Sequence, residues 1–388
     1  MNTKLTKLLF VLPFLFLSCN QKTNSELLVN KKIQKTEALC QAVLDSIYKA
    51  NPNAVGIMAH VESYKRKLSW SGAAGTSDKK GTPIQADQPA LIASNTKTYV
   101  SASILRLVEL NKLQITDPIA KHLSENTKAV LAKDAYDLEA ITIAHLMSHT
   151  SGVYDYVDSE ERLLIKRAQE NPKYRWTRDE QIALAVSGGE PLGSPGDIFS
   201  YADTNFSLLS EIIEQRTGKK FYTAIRDLLQ YKRFRLDNTW FDSLEDVPKN
   251  TKPLVHQYWD KMGFDSYVLD HSFDLYGGGG IAATTKDIAR FSQLLFNGKF
   301  FDKAETLQLI YTPMPAKEDT GENYHLGLME SKVNGYTSYG HGGFWGTIVQ
   351  YFPELDLSIS VFINNRDANK LRKEVLEGLL SELSKTQK

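Results

Sequence analysis

The spacing of apolar and polar residues predicts one helix and two strands at the start of the folded chain. Residues 33–50 repeat apolar side chains at helical spacing. Segments 54–62 and 67–75 have the composition of two strands joined by a short turn. After a polar loop, residues 94–110 place their apolar side chains on one face and therefore predict a buried amphipathic helix.

The rest of the chain changes character twice. From about 115 to 275 it consists mostly of helical pieces and loops, including a helix from Asn205 to Arg216. Strands return between 337 and 364, where apolar and polar residues alternate, and an amphipathic helix closes the tail. Because strands occur at both ends, we expect one antiparallel sheet closed by both termini, with an inserted helical region, an α/β fold of the α+β type.

The first 18 residues are predicted to be an export signal. Lys4 and Lys7 precede an apolar run from Leu8 to Leu17, which is too short to span a bilayer. The run ends at Cys19 and resembles a bacterial lipoprotein signal, in which the cysteine is lipidated and becomes the first mature residue. Ordinary secretion with an incidental cysteine is the alternative.

This signal divides the chain into residues 1–18, a polar tether of residues 19–32, and one catalytic domain of residues 33–388. We then expect the protein in the bacterial cell envelope, lipid-anchored through Cys19 and facing the periplasm or the outside. Lipidation of Cys19 leaves Cys40 without a partner, and the helical spacing of Cys40 from apolar neighbours predicts a core thiol.

The charge balance argues against nucleic acid as a partner. Lys plus Arg and Asp plus Glu are equal at 46 each, so no basic excess is available to neutralise a phosphate backbone. Hydrophobic residues make up 42% and charged residues 24%, which is typical of a soluble globular protein.

The best candidates for catalytic residues are Ser94 and Lys97. A hydroxyl needs a neighbouring base to become a good nucleophile, and residues three apart on a helix share a face. The same Ser-x-x-Lys spacing occurs at Ser46 and Ser77, but only Ser94 begins a long apolar-faced helix. A helix-capping role for Ser94 is the alternative.

Three segments resemble the serine β-lactamase and penicillin-binding hydrolases, a family of class C β-lactamases, DD-carboxypeptidases and related esterases. LIASNTKTYVSASI around Ser94 resembles the nucleophile segment. Residues 195–218 resemble the Y-x-N box, with Tyr201 and Asp203 at its functional positions, and GHGGFWGT at 340–347 matches the K-T-G or H-x-G strand. The resemblance covers about residues 50–365 and implies a β-lactamase/transpeptidase-like fold.

The resemblance also implies roles for individual residues. Ser94 would attack the substrate, Lys97 would help activate it, and Tyr201 would shuttle a proton to the leaving group. In the wall strand, His341 would take the cationic position and Gly343 would let substrate lie close to the backbone. The N–H of Phe344 would pair with that of Ser94 as an oxyanion hole.

Two departures from the family pattern change these expectations. Asp203 replaces the usual Asn, which favours a protonated Lys97, so we expect Tyr201 to share or take over the role of base. His341 replaces Lys, so we expect its charge to be lost near about pH 6 to 7, and anionic substrates to bind less well above that range. The missing hydroxyls at Gly342 and Phe344 weaken a strict D-Ala-D-Ala assignment.

The sequence therefore predicts an exported serine hydrolase that cleaves an amide in a peptidoglycan-type or D-amino-acid peptide, or a β-lactam, through an acyl-enzyme on Ser94. A carboxylesterase on the same fold is the main alternative, and a non-catalytic penicillin-binding lipoprotein is a third. We expect no cofactor and no metal, because His145 and His149, although four apart, lack the Glu and the third ligand of a zinc site.

Overall fold

A computed structural model describes residues 24–158, 163–314, 316–318 and 323–385. The helices predicted in the middle and at both ends of the chain are present within these residues. The α-helices are α1 (Asn24–Ala50), α2 (Thr96–Glu109), α3 (Glu125–Leu131), α4 (Ile143–Met147), α5 (Leu163–Glu170), α6 (Arg178–Ser187), α7 (Asp203–Thr217), α8 (Phe221–Leu228), α9 (Tyr231–Phe234), α10 (Thr285–Phe296), α11 (Ala304–Ile310) and α12 (Leu371–Lys385).

Strands from both ends of the chain form the largest sheet. The strands are β1 (Gly56–Ser63), β2 (Leu68–Gly75), β3 (Pro89–Leu91), β4 (Thr239–Phe241), β5 (Tyr258–Trp259), β6 (Phe264–Asp265), β7 (Ile281–Thr284), β8 (Met329–Val333), β9 (Tyr336–Gly343), β10 (Thr347–Phe352) and β11 (Leu357–Ile363). The order β2-β1-β11-β10-β9-β8 is antiparallel throughout. The predicted closure of one antiparallel sheet by both chain ends is confirmed.

Helices cover both faces of this sheet. α1 and α12 pack on one face, and α10 packs on the other. Every residue of β11 is buried, as expected for a strand covered on both sides. Cys40 lies in the core between the sheet, α1 and α12, and burial raises the pKa of its thiol to about 12. The prediction of a core thiol is confirmed.

The N-terminal helix is longer than predicted. α1 begins at Asn24, so residues 24–32 are helical, whereas the sequence pattern predicts a polar tether over residues 19–32. This stretch contains Leu and Lys and lacks Gly and Pro, which favours a helix. The export signal and Cys19 lie outside the described residues. Within those residues, no helix is both long and apolar enough to cross a membrane.

The fold brings three distant segments to one place. A single tight turn, Ala93–Asn95, precedes α2 and packs against β9 of the large sheet. On its other side α2 packs against α7, which begins at Asp203. The Ser94 turn, the start of α7 and the end of β9 therefore meet at one cleft.

Candidate active site

Ser94 occupies a constrained turn at the head of α2. Ala93, just before it, has a φ of +46°, a left-handed conformation that non-glycine residues rarely adopt. Such strain is found where the surrounding structure holds a functional residue in place. Lys97 Nζ lies 3.2 Å from Ser94 Oγ, and the Lys97 side chain is fully buried. The structure thus brings the two residues of the Ser-x-x-Lys motif into contact.

Lys97 is surrounded by three acceptors. Its Nζ donates to Ser94 Oγ, to the Asp203 carboxylate and to the carbonyl oxygen of Gly278, the last at 2.7 Å. An ammonium has three N–H donors, so all are used. Lys97 therefore holds Ser94 by donation, and it can accept the serine proton only after giving one of its own protons to a neighbour.

Tyr201 lies beside the same pair. Its hydroxyl shares a hydrogen bond with Ser94, and Lys97 Nζ is 4.9 Å from the centre of its ring. Burial, together with the nearby Asp203 carboxylate, raises the pKa of Tyr201 well above its ordinary value. A phenol with a raised pKa is harder to ionise, which opposes the expectation that Tyr201 takes over as base. The position of Tyr201 suits a neutral phenol that relays a proton.

The ring of His149 packs against the ring of Tyr201. The two ring centres are 4.2 Å apart. Nδ1 of His149 accepts the backbone N–H of Ala202 at 3.1 Å and lies 3.2 Å from the side-chain amide nitrogen of Asn205. Burial, and then the charge of Lys97, lower the pKa of His149 well below its usual range, so the ring is neutral.

Neither histidine of the sequence pair is arranged as a metal ligand. The His145 side chain accepts the backbone N–H of Thr142 at the start of α4, and His149 is engaged as above. In the part of the chain that the structure describes, no group of three or more His, Cys, Asp or Glu side chains is placed to hold a metal ion.

His341 does not supply a cation to the cleft, which corrects the expectation from sequence. Its ring is buried, its Nδ1 is 2.6 Å from the carbonyl oxygen of Gly342, and Tyr324 donates its hydroxyl to Nε2 at 3.1 Å. Burial, and then the charge of Lys97, lower the pKa of His341 to about 3. The imidazole is therefore neutral at physiological pH, and no loss of charge near pH 6 to 7 takes place there.

We expect the NMR signals of the His341 ring to stay constant between about pH 5 and 8. The folded-state pKa of about 3 means that the ring holds no extra proton anywhere in this range. His271 is the internal control: although burial opposes it, its hydrogen bond to Asp242 raises the pKa of His271, so its signals should titrate. A His341 shift centred near about pH 6.5 would restore the cationic assignment.

The missing side chain of Gly343 allows close packing inside the protein and not the approach of substrate, which corrects a second expectation from sequence. A Cβ at this position would lie 2.3 Å from the carbonyl oxygen of Ile92 and 2.8 Å from the side-chain nitrogen of Asn95. The missing side chain therefore lets β9 approach the turn that carries Ser94. Asn95 strengthens this junction, because its amide donates to Ile92 O and to Thr347.

Gly343→Ala is accordingly expected to destabilise the protein by about 1 to 3 kcal/mol and to lower turnover, because the added methyl group pushes β9 from the Ser94 turn. Thermal denaturation and steady-state kinetics measure the two effects. Gly342→Ala is the matched control, since its Cβ would lie 3.4 Å from the end of the Arg372 side chain, which can move. Equal losses in both variants would contradict the packing role.

Phe344 and Ser94 line one pocket, and their backbone N–H groups have no acceptor among the described residues. Both are therefore available to a developing oxyanion. The lining of the pocket is mostly apolar. It is lined by Ser94, Val157, Leu164, Ile165, Ala168, Asp203, Trp259, Phe264, Leu269, Phe273, Asp274 and Phe344.

Two further acids surround the site, and sequence reasoning missed both. Asp155 accepts the backbone N–H of Asp203, and Asp274 lines the pocket. Burial, and then the charge of Asp203, raise the pKa of Asp155 well above its ordinary value and that of Asp274 to about 8. Neither acid belongs to a motif, so only their position next to Asp203 in the folded protein reveals them.

Comparisons with known proteins agree with this geometry. The sequence model of the Beta-lactamase family matches residues 50–382. Protein flp of Staphylococcus aureus is 29% identical over 197 residues, covering 47% of this chain and 36% of that protein. A putative penicillin-binding protein PbpX of Bacillus subtilis is 25% identical over 224 residues, covering 57% and 50%. The chain thus spans half or less of the length of these relatives.

Solved structures share the fold over nearly their whole length. The D-stereospecific amidohydrolase from a Streptomyces species has a TM-score of 0.73 at 24% identity, covering 88% of this chain and 97% of that one. The D-amino acid amidase from Ochrobactrum anthropi, in complex with L-phenylalanine, has a TM-score of 0.73 at 19% identity, covering 93% and 99%. With the family match extending over most of the sequence, this chain belongs to the Beta-lactamase family of serine hydrolases.

Proposed function

We propose that this protein hydrolyses an amide bond beside a bulky apolar group, in a D-amino-acid amide or peptide, through an acyl-enzyme on Ser94. The observation that carries the proposal is the pocket at Ser94, whose wall is apolar except for Ser94, Asp203 and Asp274. An aromatic or large aliphatic group buried there would gain most of its binding free energy from loss of contact with water.

The residues around Ser94 support a two-step reaction. Ser94 Oγ attacks the carbonyl carbon, and its proton passes through Lys97 or Tyr201 to the leaving nitrogen, so the amide bond breaks and an ester forms. The oxyanion that develops is stabilised by the N–H groups of Ser94 and Phe344. Water then attacks the ester, its proton returns to Ser94, and the acid is released.

The pocket fits an acyl group without a carboxylate better than one that carries a carboxylate. A peptide ending in D-Ala-D-Ala and a β-lactam antibiotic both carry a carboxylate near the bond that is cut. No Lys or Arg lines the described pocket, and His341 is neutral. The folds of a D-stereospecific amidohydrolase and a D-amino acid amidase make the amide of an aromatic D-amino acid the first substrate to test.

A carboxylesterase is the second candidate, and the same apolar wall favours it. Ester and amide substrates place the same carbonyl between the two N–H groups, and they differ only in the leaving group. Both functions predict a burst of released leaving group, about one equivalent per enzyme, if deacylation is slow.

The test compares four substrates on the purified protein. We expect D-phenylalanine 4-nitroanilide and the 4-nitrophenyl ester of 3-phenylpropionic acid to be hydrolysed, and a D-Ala-D-Ala peptide and a chromogenic cephalosporin to be poor substrates. Turnover of the ester alone would favour the carboxylesterase. Turnover of the D-Ala-D-Ala peptide at the highest kcat/KM would overturn the proposal.

We also propose that the protein is exported and held at the bacterial cell envelope by a lipid on Cys19. The proposal rests on the apolar run Leu8–Leu17, which follows two lysines and ends two residues before this cysteine. The Cys19→Ala variant should leave the membrane fraction and lose incorporation of an alkyne-tagged fatty acid, whereas Cys40→Ala should behave as wild type. A Cys19→Ala protein that stays membrane-bound would contradict the anchor.

A further inference from the structure

Asp274 is a partly buried acid in the wall of the Ser94 pocket that the hydrolytic steps do not use. Its side chain lines the pocket together with Ser94 and Asp203. Oxygen Oδ1 of Asp274 is shielded from solvent and accepts no hydrogen bond from any residue that the structure describes. Burying an acceptor without a donor costs free energy, so the Asp274 carboxyl favours a partner that brings hydrogen-bond donors or positive charge into the pocket.

Lys97 is the nearby cation, but its donors are already engaged. Nζ donates to Ser94, Asp203 and the carbonyl oxygen of Gly278, which uses all three N–H groups of an ammonium. Lys97 therefore acts on Asp274 only through space, and its charge is too weak to offset burial and Asp203. The Asp274 carboxyl is left without an ionic partner within the described pocket.

The glycine turn at 277–280 is shaped around this acid. A Cβ on Gly279 would lie 2.0 Å from Oδ2 of Asp274, a distance that no side chain tolerates. The neighbouring Gly278 supplies the carbonyl oxygen that binds Lys97. The same turn thus places the group that organises the nucleophile and makes room for the acid in the pocket wall.

We propose that Asp274, with Asp203 beside it, binds the protonated α-amino group of the substrate. This inference rests on the proposed hydrolysis at Ser94 and names its substrate class: amides or esters of amino acids with a free amino group, or the N-terminal residue of a peptide. An ammonium brings three donors and a positive charge, so it donates to the Asp274 carboxylate and, together with Lys97, balances the charges of the two acids. The apolar wall then holds the side chain of the same amino acid.

Binding of such an ammonium is coupled to a proton. Burial and Asp203 raise the pKa of Asp274 to about 8, so the free site holds a proton below that pH. A bound ammonium favours the carboxylate, and the proton is released to solvent. Affinity should therefore increase as pH rises, until the amino group of the ligand loses its own proton, near about pH 8 for an ordinary α-amino group.

The kinetic test compares D-phenylalanine 4-nitroanilide with the 4-nitroanilides of 3-phenylpropionic acid and N-acetyl-D-phenylalanine, which lack the charged amino group. We expect the wild-type kcat/KM to be higher for the first substrate by about 100-fold or more, because a buried polar group rejects an analogue that leaves it unpaired. Asp274→Asn should remove most of this preference by slowing the amino substrate much more than the other two.

The exposed Asp246→Asn is the control for a change of one carboxylate to an amide, and it should keep the wild-type preference. If Asp274→Asn slows all three substrates equally, Asp274 serves a chemical step and the inference is overturned. If wild type prefers the N-acetylated substrate, the inference is likewise overturned, while hydrolysis at Ser94 stands.

A binding measurement separates this inference from the proposed function, because it needs no turnover. With the Ser94→Ala variant, calorimetry should show D-phenylalanine amide binding more tightly than 3-phenylpropanamide, with proton release near about pH 7 seen as a dependence of the enthalpy on the buffer. Equal affinities, or no proton release, would overturn the ammonium site. Tight, proton-coupled binding would support it even if the hydrolytic assays failed.

Discussion

Ser94→Ala is expected to abolish hydrolysis and covalent acylation, with kcat/KM lower by about 10³-fold or more. Without Oγ, no ester forms, and Lys97 and Tyr201 have no nucleophile to activate. Mass spectrometry of the intact protein after mixing with the 4-nitrophenyl ester, and with a fluorescent penicillin, reads out acylation directly. Steady-state kinetics on the ester and the anilide measure the loss of rate.

Ser46→Ala is the matched control, because Ser46 begins another Ser-x-x-Lys tetrapeptide but lies exposed on α1. This variant should acylate and turn over like wild type. Retained acylation in Ser94→Ala would place the nucleophile elsewhere and remove the basis of the proposed function.

Lys97→Met is expected to lower both activity and stability. Activity should fall by about 10³-fold, because Ser94 loses the group that orients it and balances its developing charge. The free energy of unfolding should drop by about 3 kcal/mol, because Asp203 then lacks its partner in a buried site. The fully buried side chain of Lys97 excludes compensation by solvent. Kinetics and denaturant unfolding measure the two losses separately.

The double variant Lys97→Met with Asp203→Asn tests the physical reason. Removing both charges should recover most of the lost stability without restoring activity, since the unpaired carboxylate is gone but the nucleophile remains unsupported. If the double variant is no more stable than Lys97→Met, the Lys97–Asp203 pair does not account for the loss. Wild-type turnover in Lys97→Met would remove Lys97 from the reaction altogether.

The local motifs could be found in the sequence because they depend on local geometry. Ser94 and Lys97 are three residues apart at the head of a helix, so their proximity follows from helix geometry once the helix is predicted. Tyr201 and Asp203 were singled out only through the segments around them, since the Tyr-x-Asp spacing alone also occurs at Tyr156 and Tyr258. The structure places all four residues at one cleft.

The predictions for His341 and Gly343 were wrong for one shared reason: both residues are packed against other parts of the protein instead of facing the cleft. The sequence shows that His341 replaces a lysine, and an exposed histidine would titrate near neutral pH. Packing under Tyr324 and next to Lys97 lowers its pKa to about 3 instead. The sequence predicts that Gly343 lets substrate approach, because glycines permit close contact, but the atoms that approach it belong to Ile92 and Asn95.

The sheet built from both chain ends, the inserted helical region and the nucleophile segment can be predicted from the sequence. The reason is that periodic patterns and motifs depend on neighbours along the chain. Only the tertiary structure decided the charges of the site and the shape of its pocket. No motif in the sequence marks Asp274, the carbonyl oxygen of Gly278 or Tyr324 as part of the site. The fold brings them to the cleft. The physical reason is that desolvation and ion pairing depend on residues distant in sequence, which are brought together only by packing.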